Sequence, residues 1–218
     1  MTRQDLSILF LGKKDDAHCD KALEFSLSNF TDVTACLGKW GDAIPGVLSC
    51  WKGDYIFSYL SRWIVPDDLL KRTKSAAINF HPGSPDYPGV GCTNFALYDE
   101  ITEYGVTCHH MAPRVDTGPI IAVKRFPVFP TDNVESLIFR TYDSQLLLFH
   151  EIAGLIVEGK QLPVSEEKWT RKPFTRNELN QLARITPLMN REEIARRIRA
   201  TQFGNWKPTV ERPNHSPA

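Results

Sequence analysis

Residues 76–95 read AAINFHPGSPDYPGVGCTNF. Ala76 to Phe80 is a short apolar run of the kind that forms a buried strand, and Pro82 cannot continue it. Successive side chains of a strand alternate between its faces, so Ile78 and Phe80 point one way while Asn79 and His81 point the other, together, at the strand's carboxyl end. Gly83, Pro85, Pro88, Gly89 and Gly91 then predict a stiff, tightly turning loop whose backbone amides can come close to a ligand. Upstream, Leu6 to Leu11 reads as a strand closed by Gly12. Cys19 to Phe30 carries Leu23, Leu27 and Phe30 in a helical rhythm. Val33 to Leu37 and Asp54 to Tyr59 are two further strands, and Pro66 opens a short helix before Leu69 and Leu70 in the first helical position that proline prefers. Strands alternating with helices predict an α/β fold built on a doubly wound, Rossmann-like, mostly parallel sheet, with ligands at the carboxyl ends of its strands.

Downstream the chain reads GVTCHHM over 105–111 and PIIAVKRF over 119–126, joined by the turn-forming APRVDTG, which predicts a hairpin. Asp132 and Glu135 have the spacing of a capping box. Val134, Leu137, Ile138, Thr141, Leu148, Ile152 and Leu155 keep helical register from there to Gly159. Lys168 to Arg199 holds nine basic residues against three acidic ones, which sets residues 161–211 apart as a small C-terminal appendage to a domain spanning 1–160. A helix is expected near Arg191 to Thr201, and 212–218 reads as a disordered tail. Arg196, Arg197 and Arg199 suggest a solvated helix face or a subunit contact. Phe203 and Trp206 are read as pinning the tail onto the core or onto a second subunit, with stacking on a nucleotide base as the alternative.

The 218 residues carry 26 Lys plus Arg against 26 Asp plus Glu, which argues against nucleic acid as a partner. With 42% hydrophobic and 24% charged residues the composition is that of a globular protein. No run approaches the ~18 apolar residues of a membrane span, and the charged start does not resemble a signal peptide, so no membrane partner and a cytoplasmic location are expected. The five cysteines show no CxxC spacing. They are read as small buried hydrophobes, and neither a disulfide framework nor a thiolate zinc site is indicated.

A histidine beside an amide donor at a strand end suits a base next to an oxyanion stabiliser. The plainer alternative is that His81 caps the strand and Asn79 bonds a loop carbonyl. Asp116 is a turn former by composition, but a carboxylate held against His81 would orient the imidazole and stabilise its charged form. A metal site from His81, His109, His110 and Asp116 is the competing reading. Adjacent histidines in a strand face opposite ways, so His109 and His110 do not easily serve one small site.

Asn79-Phe80-His81-Pro82 with its Gly/Pro loop, followed by GVTCHHM and Val115-Asp116-Thr117-Gly118, resembles the formyltransferase family that uses N10-formyltetrahydrofolate. The resemblance covers roughly residues 5 to 160. It implies that Asn79, His81 and Asp116 are the catalytic Asn, His and Asp: an amine attacks the formyl carbon, His81 takes a proton, Asn79 steadies the oxyanion and Asp116 orients His81. It implies formyl-folate as co-substrate and no metal. It also places the pterin between Ser61–Val65 and the loop before Asp116, with Trp63, Ile64, Ala112 and Val115 as walls.

Within that family the tRNA-directed members need a longer carboxyl-terminal domain and positive surface. The glycinamide ribonucleotide members carry a Gly/Ser-rich loop after the first strand, where this chain has Gly12-Lys13-Lys14-Asp15-Asp16. HPGSPDYPGVGCTNFAL, KWTRKPFT and EEIARRIRA are most similar to sugar N-formyltransferases acting on nucleotide-linked amino sugars. On that resemblance Lys13 and Lys14 are candidates for the diphosphate, or a solvated loop, and Tyr87 and Asn94 for the sugar. A homodimer is expected.

Overall fold

The computed structural model describes residues 4–211. The tail expected over 212–218 lies outside them. A six-stranded sheet organises the chain: β1 (Gln4–Lys13), β2 (Phe30–Gly38), β3 (Gly53–Tyr59), β4 (Thr73–His81), β5 (Glu103–His110) and β6 (Ile120–Pro127), in the order β2-β1-β3-β4-β5-β6. β1 to β4 pair in parallel; β5 runs antiparallel to β4, and β6 to β5. This is the Rossmann-like, mostly parallel α/β sheet expected.

α1 (Ala17–Asn29) and α4 (Val134–Val157) cover one face. Asp16 caps α1 by accepting from the amides of His18 and Cys19. α4 presents Leu148, Phe149, Ile152 and Ile156 to the strand residues Ile8, Phe10, Phe57, Ile78, Phe80, Val106 and Cys108. The ring of Phe149 lies 4.9 to 6.2 Å from those of Phe80, Tyr59, Phe57, Phe25 and Phe10, mostly edge to face, a geometry that adds to the burial of apolar area. The opposite face packs Leu9, Leu11 and Ile56 against Leu48, Trp51 and Val65 and against Leu69 of α2 (Asp67–Lys71). Among the described residues no helix is long and apolar enough to cross a membrane.

Residues 161–211 contain α5 (Arg176–Leu182), β7 (Arg184–Ile185), α6 (Arg191–Thr201) and β8 (Thr209–Val210). They do not bury a core of their own. Phe174, Leu179, Leu182 and Ala200 share one cluster with Tyr87, Tyr104, Leu137 and the buried side of α3 (Cys92–Tyr98). Phe174 stacks on Phe95 with ring centroids 3.6 Å apart. α3 was not legible in the sequence: Gly91, in left-handed backbone at φ 74°, is its N-cap and offers no side-chain cap, so packing rather than local signals makes this helix.

Several local readings shift. The capping box of α4 is Asn133 with Ser136, and Asp132 instead accepts from the Phe129 amide and pairs with Arg140. Pro66 is the residue before α2, not its first. Arg196 and Arg197 pair with Glu193, while Arg197 also donates to the carbonyls of Gln181, Leu182 and Arg184. Arg199 donates to Asp132 and Phe129 carbonyls. These guanidiniums therefore tie α6 to its neighbours, because backbone carbonyls at element ends need donors. Phe203 and Trp206 bond each other's backbone and stay largely exposed. Cys50 is exposed; the other four cysteines are buried, and all five are free.

Candidate functional site

The site is built on the face of β4 turned away from α4. Ile78 and Phe80 belong to the α4 core, so alternation sends Asn79 and His81 to the other side. Antiparallel pairing then sets His109 opposite Asn79 and Thr107 opposite His81. His109 thus joins the same face, and His110 points to the other.

His81 is 4% exposed. Its Nε2 lies 2.9 Å from the Tyr87 carbonyl, which only accepts, so Nε2 carries a proton and Nδ1 is the position that gains or loses one. Gly83 makes room for that bond: a Cβ there would sit 2.5 Å from His81 Nε2 and 2.9 Å from the Tyr87 oxygen. Nδ1 faces Asp116 Oδ2 at 3.3 Å.

Asp116 arrives from the connection between β5 and β6. That connection begins beside the middle of β4, where the Met111 amide donates to the Ala77 carbonyl, and folds back across the face. Asp116 has φ +48°, a left-handed conformation that an aspartate adopts more readily than most residues but only where its surroundings hold it. Gly118 permits the return, since a Cβ would fall 1.8 Å from the His110 oxygen.

Both carboxylate oxygens of Asp116 are engaged. Oδ2 accepts the Gly89 amide at 2.8 Å as well as facing His81, and Oδ1 faces His109 Nε2 at 3.3 Å. Burial pushes the pKa of this carboxyl group up, but the imidazoles of His81 and His109 and the Gly89 amide outweigh that and hold it at about 2. The group is therefore a buried, ionised carboxylate.

His109 links the amide to the acid. Its Nδ1 donates to the His110 carbonyl at 2.8 Å, and its Nε2 is within reach of both Asn79 Nδ2, at 3.0 Å, and Asp116 Oδ1, at 3.3 Å: without a proton it accepts from Asn79, and with one it donates to Asp116 and supports the charge there. Asn79 keeps a second N–H that His109 does not take. Over the two imidazoles lies Trp169, its ring centroid 5.8 Å from His81 and 5.0 Å from His109, both edge to face, with Nε1 donating to the Gly118 carbonyl at 2.8 Å.

Asn79, His81 and Asp116 are thus brought together, with His109 and Trp169 added. The alternation of β5 assigns His109 and His110 to opposite faces, but only the register with β4 says which face carries Asn79. Trp169 stands in KWTRKPFT, a stretch that carries the family likeness but says nothing of a contact with the two histidines. The expected substrate contacts fare differently. The Tyr87 ring is buried and its hydroxyl donates to Asp99, and Asn94 donates to the Ala200 carbonyl, so both side chains are spent inside the fold. Lys13 pairs with Asp16 at 2.7 Å rather than standing free, and Lys14 is exposed. Trp63 packs over Gly38 and donates to the Asp42 carbonyl, Ala112 is half-buried, and Ile64 and Val115 are 71% and 45% exposed. Among the described residues no group of three or more His, Cys, Asp or Glu is arranged to hold a metal ion.

Residues 44–151, which include Asn79, His81, His109 and Asp116, match the family model described as formyl transferase. Over that segment the chain is similar to a formyl transferase domain. The methionyl-tRNA formyltransferase of Dictyoglomus thermophilum is 30% identical over 131 residues, which is 60% of this chain and 38% of that protein. The chain therefore spans about two fifths of the length of the curated relatives it matches. A 4-N formyltransferase from Francisella tularensis shares the fold at a TM-score of 0.75 and 17% identity, over 93% of this chain and 91% of that one. An N-formyltransferase from Helicobacter canadensis, solved with folinic acid and dTDP-3-aminofucose, shares it at 0.72 and 21% identity, over 89% and 80% of the two chains. Lys13, Lys14 and Trp169 lie outside the matched formyl transferase segment.

Proposed function

We propose that this protein is an N-formyltransferase that moves a formyl group from N10-formyltetrahydrofolate to the amine of a nucleotide-linked amino sugar. The observation that carries the reading is the contact of a buried, ionised Asp116 with His81 beside Asn79, all inside the matched formyl transferase segment. The folate supplies a formyl carbon open to attack by an amine. Ile64 and Val115, large apolar side chains left uncovered on the two loops assigned to the pterin, fit a flat apolar ring. Leu60, the residue after β3, has left-handed backbone at φ +53°, an unusual conformation for a leucine that fits a ligand-shaped turn.

The chain's own groups then have distinct tasks. The free N–H of Asn79 is available to an oxygen that gains charge, while His109 fixes the orientation of its amide. His81 Nδ1 and Asp116 Oδ2 form the pair across which a proton from the attacking amine is received and held, to be returned to the departing N10 as the formyl C–N10 bond breaks and tetrahydrofolate leaves. An N-formyltransferase of the same fold, matched over 80% of its chain and solved with dTDP-3-aminofucose, supports a sugar acceptor over tRNA.

Incubation of the protein with formyl-folate and a panel of nucleotide-linked amino sugars, glycinamide ribonucleotide and methionyl-tRNA tests the reading by mass gain on the acceptor. A sugar in the panel should gain one formyl group. His81→Asn should lower that turnover by on the order of 10²–10⁴-fold with the fold retained. Formylation of none of the acceptors, or a His81→Asn protein with most of its activity, would overturn it.

A further inference from the structure

We infer that Trp169, which lies beyond the matched formyl transferase segment, is a positioning residue of the site: its indole N–H anchors the turn that presents Asp116, and its ring closes the imidazole pair from water. The inference rests on the proposed formyl transfer for its kinetic readout only.

Asp116 has to hold a left-handed backbone and a charge while buried, and neither is stable without outside support. The support comes from one strap. The Ser165 amide donates at 3.1 Å to the carbonyl of Ile120, the first residue of β6. Trp169 then grips Gly118, two residues past Asp116. Beyond it the Thr170 amide donates to Pro85 at 3.3 Å, the Phe174 amide to Pro88 at 2.8 Å, and the Val90 amide returns to Phe174 at 2.9 Å. Those last bonds fix the loop whose Gly89 amide holds Asp116 Oδ2. The strap therefore clamps Asp116 from both sides, at its own turn and at its amide donor, with Trp169 in the middle against His81 and His109. In a water-poor site the carboxylate–imidazole contacts are strengthened, and the indole edges exclude water there.

Trp169→Phe keeps an aromatic cover and deletes the N–H. Its kcat should fall about tenfold, with KM for folate and acceptor within about twofold and the thermal midpoint lowered by only the few degrees that one lost hydrogen bond costs. In an Asp116→Asn background the same change should cost nothing further, because the two act through one another. Independently of activity, the ring nitrogen signals of His81 and His109 in 15N NMR should shift in Trp169→Phe. Independent, additive effects of the two substitutions, a change confined to KM, or unshifted ring signals would overturn the inference. If the unaltered protein formylates nothing, the proposed function fails by itself, and the ring signals alone decide the role of Trp169.

Discussion

Replacing Asp116 by Asn keeps the shape of the side chain and removes the charge around which the two imidazoles and the Gly89 amide are arranged. The carboxyl is held at about 2 against an ordinary 3.8. At about 1.4 kcal/mol per unit, that depression is worth about 2 kcal/mol to the folded state. The sign follows from its direction: a depressed carboxyl stabilises the fold above its unfolded-state value, and the contribution is lost as pH falls from about 4 through about 2. Urea unfolding of both proteins at a series of pH values between about 6 and 2 reads this as a difference. The remaining carboxylates, including Asp132 and Glu193, are common to both chains and cancel. The stability gap between the two proteins should move by about 2 kcal/mol across that window, to the disadvantage of the natural chain as the acid end is reached. A gap that stays level across it would refute the reasoning that Asp116 is held ionised by its neighbours.

Two further outcomes test the packing. Phe174 is buried, stacks on Phe95 and ends the strap, so Phe174→Ala should cost about 3–5 kcal/mol in denaturant unfolding; a loss under about 1 kcal/mol would show that residues 161–211 do not share the core. Among the described residues the Tyr59 hydroxyl is buried without a hydrogen-bond partner, as is Gln145 Oε1, so Tyr59→Phe should leave thermal stability unchanged or raise it by about 1 kcal/mol; a clear loss would reveal a partner such as a bridging water.

The elements of the sheet were legible because their signals are local. Buried strands such as Leu6–Leu11 and Ala76–Phe80 read as apolar runs, and α4 repeats its apolar residues with helical period over 24 residues. α3 was illegible because its helix depends on Phe95 meeting Phe174 and not on a cap or a period. The sequence offers Asp132 as the cap of α4 where Asn133 serves, because both are good caps and Arg140, two turns further on, claims Asp132. The arginines of α6 read as a solvated face because their true partners are carbonyls of segments remote in sequence.

The site divides along the same line. Alternation along one strand was enough to place Asn79 and His81 on a common face, since a pleat leaves no other choice, and a turn-forming string around Asp116 was enough to mark a bend. Which residues meet there was decided by pairing and packing: the β4–β5 register chose His109 over His110, the closeness of Gly118 to a carbonyl turned Asp116 inward, and the strap brought Trp169 across. Side-chain direction is a short-range property of the backbone, whereas the approach of two segments far apart in the chain is settled only by the burial and hydrogen bonding of everything between them.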